Sequence, residues 1–206
     1  QLRLVNNMID ITKIDSGFYD LGLQNLDIVR VVENITMSVS DYIRSKSVNL
    51  IFDTDFEERI IAFDPDSIER IMLNLLSNAV KFSKEGGTIH VNMHNTEEEV
   101  IVSVRDTGIG IPEDKKELIF DRFRQVDKSL TRNHEGSGIG LALVKSLVGM
   151  HGGSISVQSD HGIGTIFIFS LPAKTTQDEK VPPAEKKPKP NIEKIHLEFS
   201  DIYSIN

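Results

Sequence analysis

Glu69-Arg70-Ile71-Met72-Leu73-Asn74-Leu75-Leu76-Ser77-Asn78-Ala79-Val80-Lys81-Phe82-Ser83 is the stretch whose reading decides the fold. Taken as an α-helix at about 100° per residue, it brings Asn74, Asn78 and Lys81 within roughly 60° of one another. Met72, Leu75, Leu76, Ala79 and Phe82 gather on the opposite side, which gives an apolar face and a polar stripe. A solvated face ordinarily carries Glu and Lys pairs, whereas this one carries two amides and a cation. Amide oxygens suit Mg²⁺, and an ammonium suits phosphate. An ordinary amphipathic helix with incidental asparagines is the competing account, and the helix alone does not separate the two.

Upstream, Asp64 stands as a cap and Pro65 suits the first helical turn. Ile60 to Phe63 is a short strand, and Val48 to Thr54 alternates as a longer one. Ile28 to Ser45 reads as a single helix, with Val31, Val32, Ile35, Val39 and Ile43 at three- and four-residue steps. A short strand is expected at 24–28. Residues 1–15 form a further helix, in which Leu4, Val5, Met8, Ile9 and Ile11 make a broad apolar stripe that wants a partner helix. Ser16-Gly17 stops it. The mixed signs of its charges favour a packing face or dimer seam over a membrane surface.

Downstream, strands at about 88–95 and 98–106 alternate as a half-buried sheet requires: Ile89, Val91 and Met93, then Val100, Val102 and Val104. Glu113 to Glu135 is polar with few apolar anchors and reads as a mobile lid. A helix runs from the Gly136–Leu141 cluster to Met150, followed by strands at about 154–159 and 164–171. Beyond Pro172 the composition shifts, and four of the seven prolines fall between Pro182 and Pro190 among Lys and Glu. That is a semi-rigid linker. Ile195, Leu197 and Phe199 alternate within residues 192–203, as in a strand of another domain or a tail that docks back.

The chain of 206 residues suits one domain with appendages. No apolar run is long enough for a membrane span, and no secretory signal is visible. Opening on Gln1 inside a helix, it reads as part of a longer protein. With no cysteine, disulfides and thiol chemistry are excluded. The net charge of −8 offers no basic excess for nucleic acid.

Most of the glycines fall in clusters between Gly108 and Gly164, each at a strand or helix boundary. Glycine lets the backbone approach a ligand closely. The second cluster precedes a helix N-terminus, a place that favours anions. It matches neither a dinucleotide fingerprint nor a P-loop.

Taken with the asparagine stripe, these clusters make residues 1 to about 172 resemble the ATP-binding domain of sensor histidine kinases, within the GHKL ATPase superfamily of the Bergerat fold. The asparagine box is Asn74 to Lys81, and the first glycine box is Asp106-Thr107-Gly108-Ile109-Gly110. Phe120-Asp121-Arg122-Phe123 is the phenylalanine box. Gly136 to Gly140 and Gly162-Ile163-Gly164-Thr165 are the later glycine boxes. The fold expected is α+β: a two-layer sandwich with a mixed sheet of about five strands covered on one face by three helices. Residues 1–17 would be the end of the dimerisation helix, 18–172 the ATP-binding domain, 173–191 the linker, and 192–206 a tail of unassigned role.

The resemblance implies roles. Asp106 would accept a hydrogen bond from the adenine amino group, with Thr165 assisting through water. Asn78 would be the one protein ligand of Mg²⁺. Asn74 and Lys81 would hold phosphates, Gly108 and Gly110 would let the backbone pass the nucleotide, and Gly136, Gly138, Gly140 and Leu141 would bring the helix start to the phosphates. Phe120 and Phe123 would anchor the lid, touch the dimerisation helix or serve as core. At position 74, chaperone, mismatch-repair and topoisomerase relatives carry a Glu as general base, and an amide cannot take that proton, so the site should keep ATP for transfer. Glu69, about 140° around the helix, is a poor substitute.

There are departures. Gln125 stands where many members place an Arg that reaches the phosphates, and Arg122 and Arg124 are the neighbours able to replace it. The acceptor His-Glu pattern is not found, because His134-Glu135 lies inside the lid, so the acceptor is expected upstream of Gln1. The implied partners are the protein's own dimerisation domain, a homodimer and a response regulator, and the implied location is the cytoplasm. A serine kinase of the same fold is the first rival, opposed by residues 1–17. A non-transferring nucleotide-binding module is the second, opposed by Asn74, Asn78, Lys81 and Asp106.

Overall fold

The computed structural model describes residues 2–122, 138–177 and 192–199. It begins with helix α1 (Leu2–Asp15), then strand β1 (Gln24–Asp27), helices α2 (Ile28–Ser38) and α3 (Ser40–Ser45), and strands β2 (Asn49–Thr54) and β3 (Ile60–Phe63). Helix α4 (Pro65–Phe82) follows, with strands β4 (Thr88–Asn95) and β5 (Glu99–Asp106). Helix α5 (Gly140–Met150), strands β6 (Ile155–Asp160) and β7 (Gly164–Pro172), and helix α6 (Ile192–Glu198) complete it.

The main sheet runs β2-β4-β5-β7-β6. Its β2–β4 pair is parallel and its other three pairs are antiparallel. Parallel neighbours need a crossover connection, and α4 supplies it. Helices α2, α4 and α5 cover one face of the sheet. The expected α+β sandwich is therefore the observed one. Ile89, Val91 and Met93 of β4 and Val100, Val102 and Val104 of β5 all point into the core. A separate antiparallel ribbon pairs β1 with β3.

Helix α4 begins where the sequence says it should. The Asp64 carboxylate accepts from Asp66 N–H at 3.2 Å and from Ser67 Oγ at 2.6 Å. Most of the helix is then buried, from Ser67 to Val80.

Three expectations need correction. The helix read as continuous from Ile28 to Ser45 breaks at Val39, which leaves helical geometry at φ −105°, ψ 2°. Thr36 Oγ1 and Ser38 Oγ bond back to the carbonyls of Val32 and Ile35, competition that bends a helix. The ordered body also runs past Pro172 into the predicted linker. Lys174 O accepts from Ala62 N–H at 2.7 Å, and Asn25 exchanges two 2.9 Å hydrogen bonds with the Thr176 backbone. Of the two readings of the alternating tail, the docked tail is the one observed, and the strand is replaced by a helix. No described helix is long and apolar enough to cross a membrane.

Candidate functional site

The C-terminal half of α4 forms one wall of the site. Asn74 is 1% exposed, while Asn78 and Lys81 are half-buried one and two turns further on. The three share a stripe, as their spacing predicts. Ser77 Oγ donates to Asn74 O at 3.0 Å, and Lys81 Nζ stands 5.6 Å from the centre of the Phe82 ring. The start of α5 meets this wall at Gly140, where a Cβ would lie 2.4 Å from Asn74 Oδ1. A side chain here would have to displace that buried amide. Ile139 precedes the helix without a side-chain cap among the described residues, and a helix N-terminus of this kind favours an anion. Gly138 has φ +66°, a turn that favours glycine. Leu141 is half-buried and packs on the core. Gly136 lies outside the described residues, as do Phe123, Arg124, Gln125, His134 and Glu135.

The other end of the site is built where β5 meets β7. Asp106 is 4% exposed and pairs across the sheet with Thr165. Its Oδ1 accepts from Gly108 N–H at 2.8 Å. Burial raises its pKa to about 6, against the pull of backbone hydrogen bonds from Gly108 and Thr165. Among the described residues, the partners that stabilise its charge are N–H groups, with no cation among them. Gly108 is required here, because a Cβ would sit 2.2 Å from Phe82 O at the end of α4. Gly110, at φ +68°, would push a Cβ to 2.1 Å from Asp160 O. The loop after β5 is thus clamped between α4 and the β6–β7 turn.

Ser159 is the residue that the sequence reading missed. Its hydroxyl donates to Gly164 O at 2.8 Å, accepts from Ile111 N–H at 2.8 Å, and lies 3.0 Å from Thr165 Oγ1. It ties Thr165 to both glycine turns. A serine at the end of an alternating strand carries no periodic signal; only its neighbour Thr165 could have pointed to it.

Phe120 takes the core option, edge-on to Phe167 at 6.3 Å between ring centroids. Arg122 is turned away from the α4 stripe. Both its terminal nitrogens bond Asp15 at the end of α1, at 2.5 and 2.6 Å. Asp10 of α1 pairs with Arg70 of α4.

Among the described residues, no group of three or more His, Cys, Asp or Glu side chains is placed to hold a metal ion. The wall offers two amide oxygens, of which that of Asn78 is on the less buried residue. That donor set fits an ion carried mainly by phosphate oxygens and water. From Phe82 to Asn74 is about 12 Å along the helix axis, which separates a carboxylate end from an amide and N–H end.

Residues 63–175 match the family described as histidine kinase-, DNA gyrase B-, and HSP90-like ATPase. The chain is 37% identical over 180 residues to the sensor histidine kinase WalK of Bacillus subtilis, covering 86% of this chain and 29% of WalK. It is 34% identical over 196 residues to the circadian input-output histidine kinase CikA of Synechococcus elongatus, covering 94% and 25%. The full-length histidine kinase ShkA, solved in complex with AMPPNP, superposes with a TM-score of 0.72 at 28% identity over 82% of this chain and 35% of that one. The chain therefore spans roughly a quarter of the length of these curated relatives.

Proposed function

Because this chain belongs to the histidine kinase-, DNA gyrase B- and HSP90-like ATPases, we propose that it is the ATP-binding catalytic domain of a two-component sensor histidine kinase. The γ-phosphoryl of ATP goes to a histidine on a dimerisation helix of the parent protein, and a response regulator takes it from there. One observation carries the reading. A nearly fully buried carboxylate, Asp106, is stabilised among the described residues by N–H groups and not by a cation, beside Gly108 and Gly110, where a Cβ would meet backbone. Such a group, with its remaining lone pairs, suits the amino group of adenine.

The residues divide the work. Asp106 and Thr165 orient the purine, with Ser159 fixing Thr165. Asn74, Lys81 and the α5 N-terminus at Gly140 hold the phosphates, and Asn78 offers its oxygen to the cation. Mg²⁺, when bound, neutralises charge on the phosphate oxygens. Positioning and charge neutralisation are the contribution of the protein. Residue 74 is an amide and cannot activate water. Glu69 is committed elsewhere, with Lys194 Nζ 2.7 Å from its Oε2. The triphosphate is therefore kept for transfer.

The test supplies a separately produced dimerisation domain, bearing an acceptor histidine, together with Mg-ATP. Acid-labile, base-stable label on that domain is expected. Acid-stable label would point to a serine kinase, and tight ATP binding without label to a nucleotide-binding module.

A further inference from the structure

Helix α6 is anchored at two points. Lys194 Nζ lies 2.7 Å from Asp66 Oδ1 and 2.7 Å from Glu69 Oε2, in the first turns of α4. Burial works against its charge, yet the hydrogen bonds to Asp66 and Glu69 prevail and raise its pKa above the usual lysine value. Phe199 is fully buried and meets the Tyr42 ring edge-on, 4.8 Å between centroids. Its N–H closes the last turn on Ile195 O at 3.0 Å. Ile195 itself packs against the core.

Helix α6 packs on α4 and on α1. The second contact matters because α1 is thinly attached. From Leu4 to Asp15, Asn7 and Ile11 are its buried residues, while Leu4, Val5, Met8 and Ile9 are exposed. Its described attachments are the Asp10–Arg70 and Asp15–Arg122 pairs and its packing on α5 and α6. A segment that grips the start of the nucleotide helix and also touches α1 favours one relative position of the two.

We propose that residues 192–199 form an intramolecular strap that seats α1 against the ATP-binding domain and restrains the movement needed for phosphoryl transfer. The proposal rests on reading α1 as the end of the dimerisation helix. To reach an acceptor on that helix, the domain must leave this seat, and the strap opposes its departure. Residues 178–191 join the strap covalently to the domain, so its rebinding is intramolecular and does not depend on protein concentration. One aromatic anchor and one lysine fork then suffice for a strap that is seated at rest and released without unfolding the sheet.

The test uses the 206-residue chain and two variants, Phe199→Ala and Lys194→Glu, the second of which leaves the apolar core intact. In both, hydrogen exchange of α1 amides should rise by ~10-fold or more while β4 and β5 stay protected. ADP affinity should stay within about twofold of the parent, because neither residue belongs to the site. With a dimerisation domain supplied, Phe199→Ala should raise its labelling by roughly threefold or more, the sign of a restraint removed. Unchanged α1 exchange in both variants, or labelling no faster than the parent, would overturn the strap. If the unmodified chain neither binds ADP nor transfers label, the kinase reading fails, while the exchange result still judges the strap alone.

Discussion

Arg122 grips Asp15 across 107 residues of sequence, with both terminal nitrogens on the carboxylate. It thereby joins the base of the expected lid to α1. Hydrogen bonding to Arg122 lowers the Asp15 pKa, and the pair is half-exposed, so salt should screen it. Arg122→Ala and Asp15→Asn are expected to loosen α1 by the same amount, with no additional effect when combined. The coupling, read by hydrogen exchange of α1, should vanish near 1 M salt. Additive effects of the two changes would show that the pair does not act as a unit.

Asp106 should trade stability for binding. Its folded pKa of about 6 lies above the ordinary 3.8, so the folded protein holds the extra proton between these values. Its contribution to stability is fully present below about pH 4 and is lost as pH rises through 6, a change on the order of 3 kcal/mol. Asp106→Asn removes the buried charge. The variant should melt higher than the parent at pH 7, equal to it near pH 4, and lose most of its ATP affinity by calorimetry. Undiminished affinity would remove the adenine role.

His151 gives the opposite slope. Nε2 accepts from Asp64 N–H at 3.1 Å, and Nδ1 lies 2.7 Å from Leu147 O, an arrangement that requires the neutral ring. Burial lowers its pKa below 6.5. Its contribution is present above pH 6.5 and is lost as pH falls through the folded value. His151→Phe should cost about 1–2 kcal/mol at pH 7, because Asp64 N–H loses its acceptor. It should also flatten the acid side of a urea-midpoint profile measured in the Asp106→Asn background. A profile still as steep without the imidazole would assign the slope elsewhere.

Gly140→Ala tests the junction of the two walls. A methyl there would lie 2.4 Å from Asn74 Oδ1 and must displace that buried amide. Alanine ordinarily favours a helix by about 1 kcal/mol, but this site lies against a packed polar group. The variant should lose at least about tenfold in nucleotide affinity, equivalent to some 1.4 kcal/mol, with a smaller fall in thermal stability. Unaltered affinity would separate Asn74 from phosphate binding.

What could be read in the sequence was local. The α4 stripe, the alternation of β4 and β5 and the glycine turns each declare themselves within a few residues. The break at Val39 did not, because Ile35, Val39 and Ile43 are buried alike on both sides of it. Helix α6 was hidden by the alternation of Ile195, Leu197 and Phe199, and its anchors Asp66 and Glu69 lie more than a hundred residues away. The pairing of residues 173–176 with β1 and β3 is equally remote. Ser159 acts through hydrogen bonds whose partners only the folded sheet assembles.

Helix α4 carries the crossover between β2 and β4, and it also carries the amides of the pocket. Its backbone cannot shift to suit a different ligand without disturbing the core side chains it buries against β4 and β5. Divergence within such a domain is therefore channelled into single side chains on that helix and into the opposite wall at Gly138 and Gly140. Homologues with altered nucleotide turnover should differ there, while the path of α4 through space stays the same.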